Sequence, residues 1–319
     1  VADTALGSFP PLIVRSLNTV LDNRGEASAQ HVSMFKSGTG SIRDSRLVNG
    51  IILRRRVLMD NLPNDLRDVK VVCLNGELKI REMSRDAEMK ITSADDLDSF
   101  IEAEKDRKEE ISRGIIESGA RVVLCSGEID RDILHSLCQK SILVVEGLDS
   151  SELRNASGAT GARIVESPLD IQESDLGQCG SASWERKPAS DEVEDVIRIE
   201  ECPNPSVVTI QIGGAGETGT EEVIRGIHDS LRSTSLALNE YVLPGAGAIH
   251  SRIAHAVRLA SEKQAGRERL AMEAFSRAME TIPSKLVENA GGEPLDRILE
   301  LRATSLGDPP VGISEDGKK

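Results

Sequence analysis

Residues 206–257 read SVVTIQIGGAGETGTEEVIRGIHDSLRSTSLALNEYVLPGAGAIHSRIAHAV, and the rest of the chain takes its place from them. The β-branched run at 206–212 suits a buried strand. Residues 221–231 have the acidic start and the 3.6-residue apolar spacing of an amphipathic helix. In the loop between them Gly214, Gly216 and Gly219 spell GxGxxG, and Glu240 lies a little beyond the distance at which a dinucleotide fold holds its ribose-binding acid. The pattern opens a reading as a nicotinamide or flavin oxidoreductase, and two features oppose it. Residues 247–302 read as helix, which leaves too few strands to complete such a sheet, and Thr220 stands where a phosphate-binding loop would carry lysine.

Composition sets further bounds. The 319 residues are 39% apolar, enough for a substantial core and two or three domains. A net charge of −14 and a pI near 5.0 argue against nucleic acid as a partner, because a phosphate backbone repels such a surface. The basic cluster Arg54-Arg55-Arg56 reads as a solvated strand edge or a salt-bridge group between domains. Acid-rich, aromatic-poor composition fits a high-salt cytoplasm, where carboxylates keep a surface hydrated. The five cysteines show no CxxC spacing and read as reduced core thiols, while the scattered histidines offer no metal-ligand pattern. No apolar run approaches the roughly 20 residues that span a bilayer, so the expectation is a soluble, cytoplasmic protein with no membrane partner.

Along the chain, proline at 10 and 11 opens a helix over 12–21, and 47–53 is a strand-like run containing Gly50. Residues 69–74 and 77–80 read as a hairpin about Asn75-Gly76. A helix over 91–120 starts at the N-cap Ser93 and stops at Gly119. Its apolar residues fall into two patches, Leu97, Phe100 and Ile101 before a charged bridge at 102–110, and Ile111, Ile115 and Ile116 after it. Residues 121–166 alternate strand and helix in a βαβαβ run, which predicts parallel strands. Residues 172–190 read as loop around Trp184, and 193–202 as a strand. Helices follow at 249–259, 267–280, 283–289 and 295–302, and 306–319 reads as a frayed tail.

Several of these segments resemble, in order, the group II chaperonins, the thermosome family of archaea. They are VSMFKSGTGSIRDSRLVNGIIL, GARVVLC, SILVVEG, LRNASGATGARIV, EEVIRGIHDSLRSTSLALNEYVLPGAGA and ENAGGEPLDRILELRA. The resemblance implies a multidomain α/β chain, with a partial equatorial domain at 1–29 and 236–319 that is all-helical. A small intermediate domain is implied at 30–49 and 206–235, and an apical α/β domain at 50–205 with a helical protrusion at 92–118. It implies a subunit that binds unfolded client proteins, assists their folding with ATP and Mg2+, and associates with other chaperonin subunits. Carried onto this sequence, the ATPase aspartate is Asp229, the nucleotide contact is Gly245, Ala246 and Gly247, and the client-holding patch is Leu97, Phe100 and Ile101. No residue is assigned to a metal. The sequence departs from the family at two places: no GDGTT phosphate loop occurs, and Gly213 follows the 206–212 strand where arginine is usual. Asp229 without that loop is expected to give little hydrolysis, which leaves an ATP-independent client-binding or assembly module as the alternative.

Overall fold

A computed structural model describes residues 9–22, 24–79, 94–188, 193–214, 216–304 and 311–314. The chain forms two compact units, Val1–Asn239 and Glu240–Lys319.

The first unit holds two sheets. The smaller has three strands in the order β1 (Val32–Lys36), β10 (Val208–Ile212), β2 (Arg46–Val48), with β1 parallel and β2 antiparallel to the central strand. Helices α1 (Phe9–Thr19) and α5 (Glu217–Asn239) contribute Phe9, Ile13, Leu17, Ile227 and Leu231 to a core shared with Val208, Ile210 and Ile212. α1 begins one turn before the expected residue 12. Pro10 and Pro11 sit in the first turn, where amide hydrogens have no intrahelical acceptor to lose.

The larger sheet has seven strands. Six run in the order β3 (Ile51–Arg54), β9 (Val193–Glu200), β8 (Gly177–Pro188), β4 (Asp65–Leu74), β5 (Val122–Cys125), β6 (Leu143–Val145), and β7 (Ile164–Val165) also pairs with β4. Side chains alternate between two cores, as the two-residue period of a strand requires. Val71, Cys73, Val122 and Leu124 face Leu153, Ala156 and Ala159 of helix α4 (Ser150–Thr160). Val72, Leu74, Val123 and Val144 face Ile111 and Ile115 of helix α2 (Ala94–Glu117) and Ile133 and Leu137 of helix α3 (Arg131–Gln139). Strands buried on both faces explain the continuous apolar runs read in 121–166. The strands of 121–166 are parallel as expected, β5 pairing with β6 and, through β4, sharing the sheet direction with β7, and all five cysteines are free and buried.

Five sequence expectations need correction. The run at 47–53 is two strands in different sheets, broken at Asn49-Gly50. Gly50 has φ +152°, and a Cβ there would lie 1.9 Å from the carbonyl oxygen of Ile199. Asn75-Gly76 makes no hairpin. Both edges of β4 are already taken, by antiparallel β8 and by parallel β5 and β7, so Leu78 instead bridges Ile129 in parallel, while Ile80 lies outside the described residues. Residues 177–188 are strand, since pairing with β4 on one side and β9 on the other overrides a glycine- and serine-rich composition. The Trp184 indole N–H there reaches the carbonyl oxygen of Pro63 at 3.1 Å.

The second unit comprises helices α6 (Ala248–Ser261), α7 (Gly266–Asn289) and α8 (Pro294–Thr304). The fourth correction lies here: 267–289 is one helix with Pro283 inside it. The ring is buried against Gly247, where a Cβ would come within 2.7 Å of Pro283 Cβ, and this packing offsets the lost helical hydrogen bond. Of the expected tail, 311–314 is docked rather than frayed. Ile313 is buried with Val287 and Leu301, and its amide donates to the carbonyl oxygen of Ala246 at 2.8 Å.

Candidate functional site

Helix α2 has two unlike halves. Toward its C-terminus Ile111 and Ile115 are buried, and Gly114 lets the Pro168 carbonyl oxygen approach to where a Cβ would be 2.9 Å away. Residues 101–110 contain no buried side chain, and Ile101 is 55% exposed. The Ser93 cap lies outside the described residues, and of the expected client patch Ile101 alone has a described side chain, Leu97 and Phe100 being placed by their backbone in the same helix. Between the halves Lys108 reaches Glu104 (3.0 Å), Asp130 (3.2 Å) and Asp132 (3.0 Å), which ties α2 to the start of α3. Hydrogen bonds to Asp132 and then Glu104 push its pKa up, so the ammonium stays charged. Ile101, Lys105, Ser112 and His135 line a groove of about 450 Å³ between the two helices.

A larger cleft, about 750 Å³, opens beyond the C-terminal ends of β5 and β6. Leu58, Met59, Ile129 and Leu134 supply apolar wall, and Arg56, Arg131, Glu128 and Glu146 supply charge of both signs. Sequence reading missed it; its signal was the pair of loops that leave adjacent parallel strands, where open α/β sheets place ligands. Part of the arginine cluster is committed elsewhere. Arg55 pairs with Glu152 and donates to the Gly147 carbonyl oxygen at 3.1 Å, and Arg54 lies over the Phe35 ring and donates to the Lys36 carbonyl oxygen. Arg55 thus makes a salt bridge, though within residues 50–205 rather than between the implied domains, while Arg54 and Arg56 are exposed.

Asp229 sits on α5 on the side away from buried Ile227 and Leu231, exposed and without a hydrogen bond or ion pair among the described residues. Gly245, Ala246 and Gly247 form a tight turn. The Ala248 amide donates to Gly245 O at 3.0 Å, and Ala246 (φ +54°) and Gly247 (φ +78°) are both left-handed. A left-handed alanine costs about 1 kcal/mol or more. Asp229 belongs to the first unit and the turn to the second. No three His, Cys, Asp or Glu side chains cluster to hold a metal among the described residues. One exposed carboxylate and one glycine turn do not make a magnesium–nucleotide cage, so these residues alone do not fit that cofactor.

The GxGxxG stretch serves its own chain. A Cβ on Gly213 would lie 2.1 Å from the Ser41 carbonyl oxygen and one on Gly214 2.5 Å from Thr220 Oγ1, while Gly219 is inside α5; Ala215 is outside the described residues. With β10 central in a three-stranded mixed sheet, the dinucleotide reading is set aside.

A sequence model of the TCP-1/cpn60 chaperonin family matches residues 3–319. The chain belongs to that family. It is 32% identical to thermosome subunit beta of Archaeoglobus fulgidus, over 100% of this chain and 58% of that protein. It is 34% identical to a thermosome subunit of Methanocaldococcus jannaschii, over 95% and 55% respectively. The chaperonin-family chain thus spans little more than half the length of these relatives. Its fold is similar to the open-state monomer of a group II chaperonin from Methanococcoides burtonii, with a TM-score of 0.63 and 22% identity over 99% of this chain and 73% of that one. The multidomain α/β class expected from the sequence is the class observed.

Proposed function

We propose that this chaperonin-family chain holds non-native polypeptide on its first unit, as part of a protein-folding chaperonin subunit. The observation that carries the reading is the exposed half of α2, a helix anchored by Ile111 and Ile115 whose residues 101–110 include no fully buried side chain and leave Ile101 55% exposed. Leu97, Phe100 and Ile101 on such a projection grip an unfolded chain by burial of apolar area, which needs no fixed partner geometry. The cleft at Met59, Ile129 and Leu134 adds a second apolar surface with charged walls, suited to an extended segment.

Residues 50–205 act as the apical, client-facing part, 30–49 and 206–235 as the intermediate stalk on which α1 packs, and 236–319 as equatorial material. The stalk assignment is supported by the pairing of β1 and β2 with β10. Asp229 and the turn at Gly245, Ala246 and Gly247 are the chain's contribution to ATP handling, with the remaining phosphate and magnesium ligands supplied from outside these residues. The chain alone therefore holds clients without turnover. Its place of work is the cytoplasm, in keeping with five reduced thiols.

Replacing Leu97, Phe100 and Ile101 together with serine should abolish suppression of client aggregation while leaving the Trp184 fluorescence of the folded sheet unchanged. Unaltered suppression refutes the role of the patch. Stoichiometric ATP hydrolysis by the 319-residue chain alone would refute the division of the nucleotide site.

A further inference from the structure

Asn75-Gly76, which turns no hairpin, leaves the C-terminal end of β4 beside the loop that follows β5. Both residues are exposed, and the segment is clamped from two sides. The Asn75 amide donates to the Val165 carbonyl oxygen at 2.8 Å, while the Gly76 carbonyl oxygen accepts from the Gly127 amide at 2.9 Å and from Cys125 Sγ at 3.0 Å. Between these clamps lies Ser126. Its Oγ accepts the Gly76 amide hydrogen at 2.9 Å and donates to Asn75 Oδ1 at 3.1 Å. One hydroxyl thus spans the backbone nitrogen of Gly76 and the carboxamide carbonyl of Asn75, the two groups that join when an asparagine closes on the residue after it.

We infer that Asn75 is a self-modification site, at which Ser126 promotes loss of the side-chain amide as ammonia. Gly76, with no side chain to cover its nitrogen, bonds through N to Asn75 Cγ. The amide proton passes to Ser126 Oγ as the Ser126 hydroxyl hydrogen passes to Oδ1, so that oxygen never carries a full negative charge. The Cγ–Nδ2 bond then breaks, the proton on Oδ1 goes to the departing nitrogen, and ammonia leaves behind a cyclic imide. Water opens the ring at either carbonyl, giving aspartate or isoaspartate, and no oxidant or cofactor is consumed.

The same dipeptide at Asn49-Gly50 supplies the contrast. Gly50 is buried against the Ile199 carbonyl oxygen, its amide donates to the Val48 carbonyl oxygen at 3.0 Å, and no hydroxyl reaches the Asn49 carboxamide among the described residues. Modification at Asn75 places a new charge and, in isoaspartate, an extra backbone methylene just ahead of Leu78, whose bridge to Ile129 backs the 750 Å³ cleft.

The test is to hold the folded 319-residue chain at neutral pH in heavy-oxygen water and to follow both asparagines by peptide mass spectrometry, since the incoming carboxyl oxygen comes from solvent. Asn75 should convert about tenfold or more faster than Asn49, whereas in urea, where both dipeptides lose their surroundings, the two rates should be similar. This comparison within one chain needs no variant. Ser126→Ala should slow Asn75 by about tenfold in the folded chain and leave its rate in urea unchanged, with Trp184 fluorescence reporting an intact sheet. The inference is overturned if Asn49 keeps pace with Asn75 in the folded chain, or if Asn75 converts faster in urea than folded. It is overturned equally if Ser126→Ala converts as fast as the wild type or faster, which would make the hydroxyl a clamp that protects the amide.

Discussion

Removing the Glu280 carboxylate should loosen the helical unit about as much as truncating its buried Leu301 would. Glu280 is 7% exposed and sits between two arginines: Arg258 Nη2 donates at 2.6 Å, and Arg302 donates through Nε at 2.7 Å and Nη2 at 2.5 Å. The three residues come from α7, α6 and α8, so this one side chain joins all the helices of the unit. Deleting one partner of a buried ion pair costs about 3–5 kcal/mol, mostly from charge left without compensation. Arg258 and Arg302 keep 31% and 38% of their side-chain surface, so water relieves part of that penalty and Glu280→Ala belongs at about 3 kcal/mol. For a unit of this size, 1 kcal/mol corresponds to about 4 °C or more in Tm, which makes the expected loss about 12 °C. Replacing the triad by apolar residues of similar volume, with Arg258→Met, Glu280→Leu and Arg302→Met together, should cost less than the single change. Hydrogen exchange of peptides from α6 and α8 measures the effect locally, and Trp184 fluorescence, from the other unit, should not move. A cost below about 1 kcal/mol, or a triple variant less stable than Glu280→Ala, would refute the reasoning. Burial raises the Glu280 pKa, but hydrogen bonds from Arg302 and then Arg258 outweigh it and hold the carboxyl below its ordinary value. Its contribution is therefore complete above the unfolded carboxyl's pKa, about 4.3, and is lost as pH falls through the lower folded value.

Two further outcomes follow from the first unit. Gly50→Ala places a methyl group 1.9 Å from the Ile199 carbonyl oxygen, so the backbone must shift and stability should fall by about 3 kcal/mol or more in urea unfolding followed at Trp184; a loss under about 1 kcal/mol would contradict the geometry. Burial pushes the thiol pKa of Cys73 up to about 12 and that of Cys125 to about 11, so native protein at pH 8 should react with a thiol reagent only on the timescale of unfolding, whereas labelling of these two within seconds would contradict it.

How much could be read from the chain depended on whether the deciding interaction was local. The alternation over 121–166 and the helical character of 249–302 were legible because doubly buried strands and amphipathic turns leave their periods in the sequence. β8 was not, because Gly177, Gly180 and Ser181 carry no strand signal and are ordered by neighbours that arrive from Asp65–Leu74 and Val193–Glu200. Pro283 looked like a helix end because its compensating contact, Gly247, is distant in sequence. The site residues divide in the same way. Ile101 could be placed from its own helix, but the cleft beside Met59 and Ile129 exists only once β3, β5 and β6 share a sheet. Asp229 and the Gly245–Gly247 turn gained their reading from the family, not from any spacing that fixes how they are arranged.

The route of the backbone through Gly50 has one more consequence. The chain leaves the small sheet after β2 and regains it at β10, and the two crossings touch: the Cys202 amide donates to Asn49 O at 3.0 Å, and Thr209 Oγ1 to Gly50 O at 2.8 Å. Everything between them is thus a cassette on a double-stranded neck, whose two ends are already adjacent. A body attached in this way can be exchanged or enlarged without disturbing the module that carries it, and it can pivot only by bending both strands of the neck together.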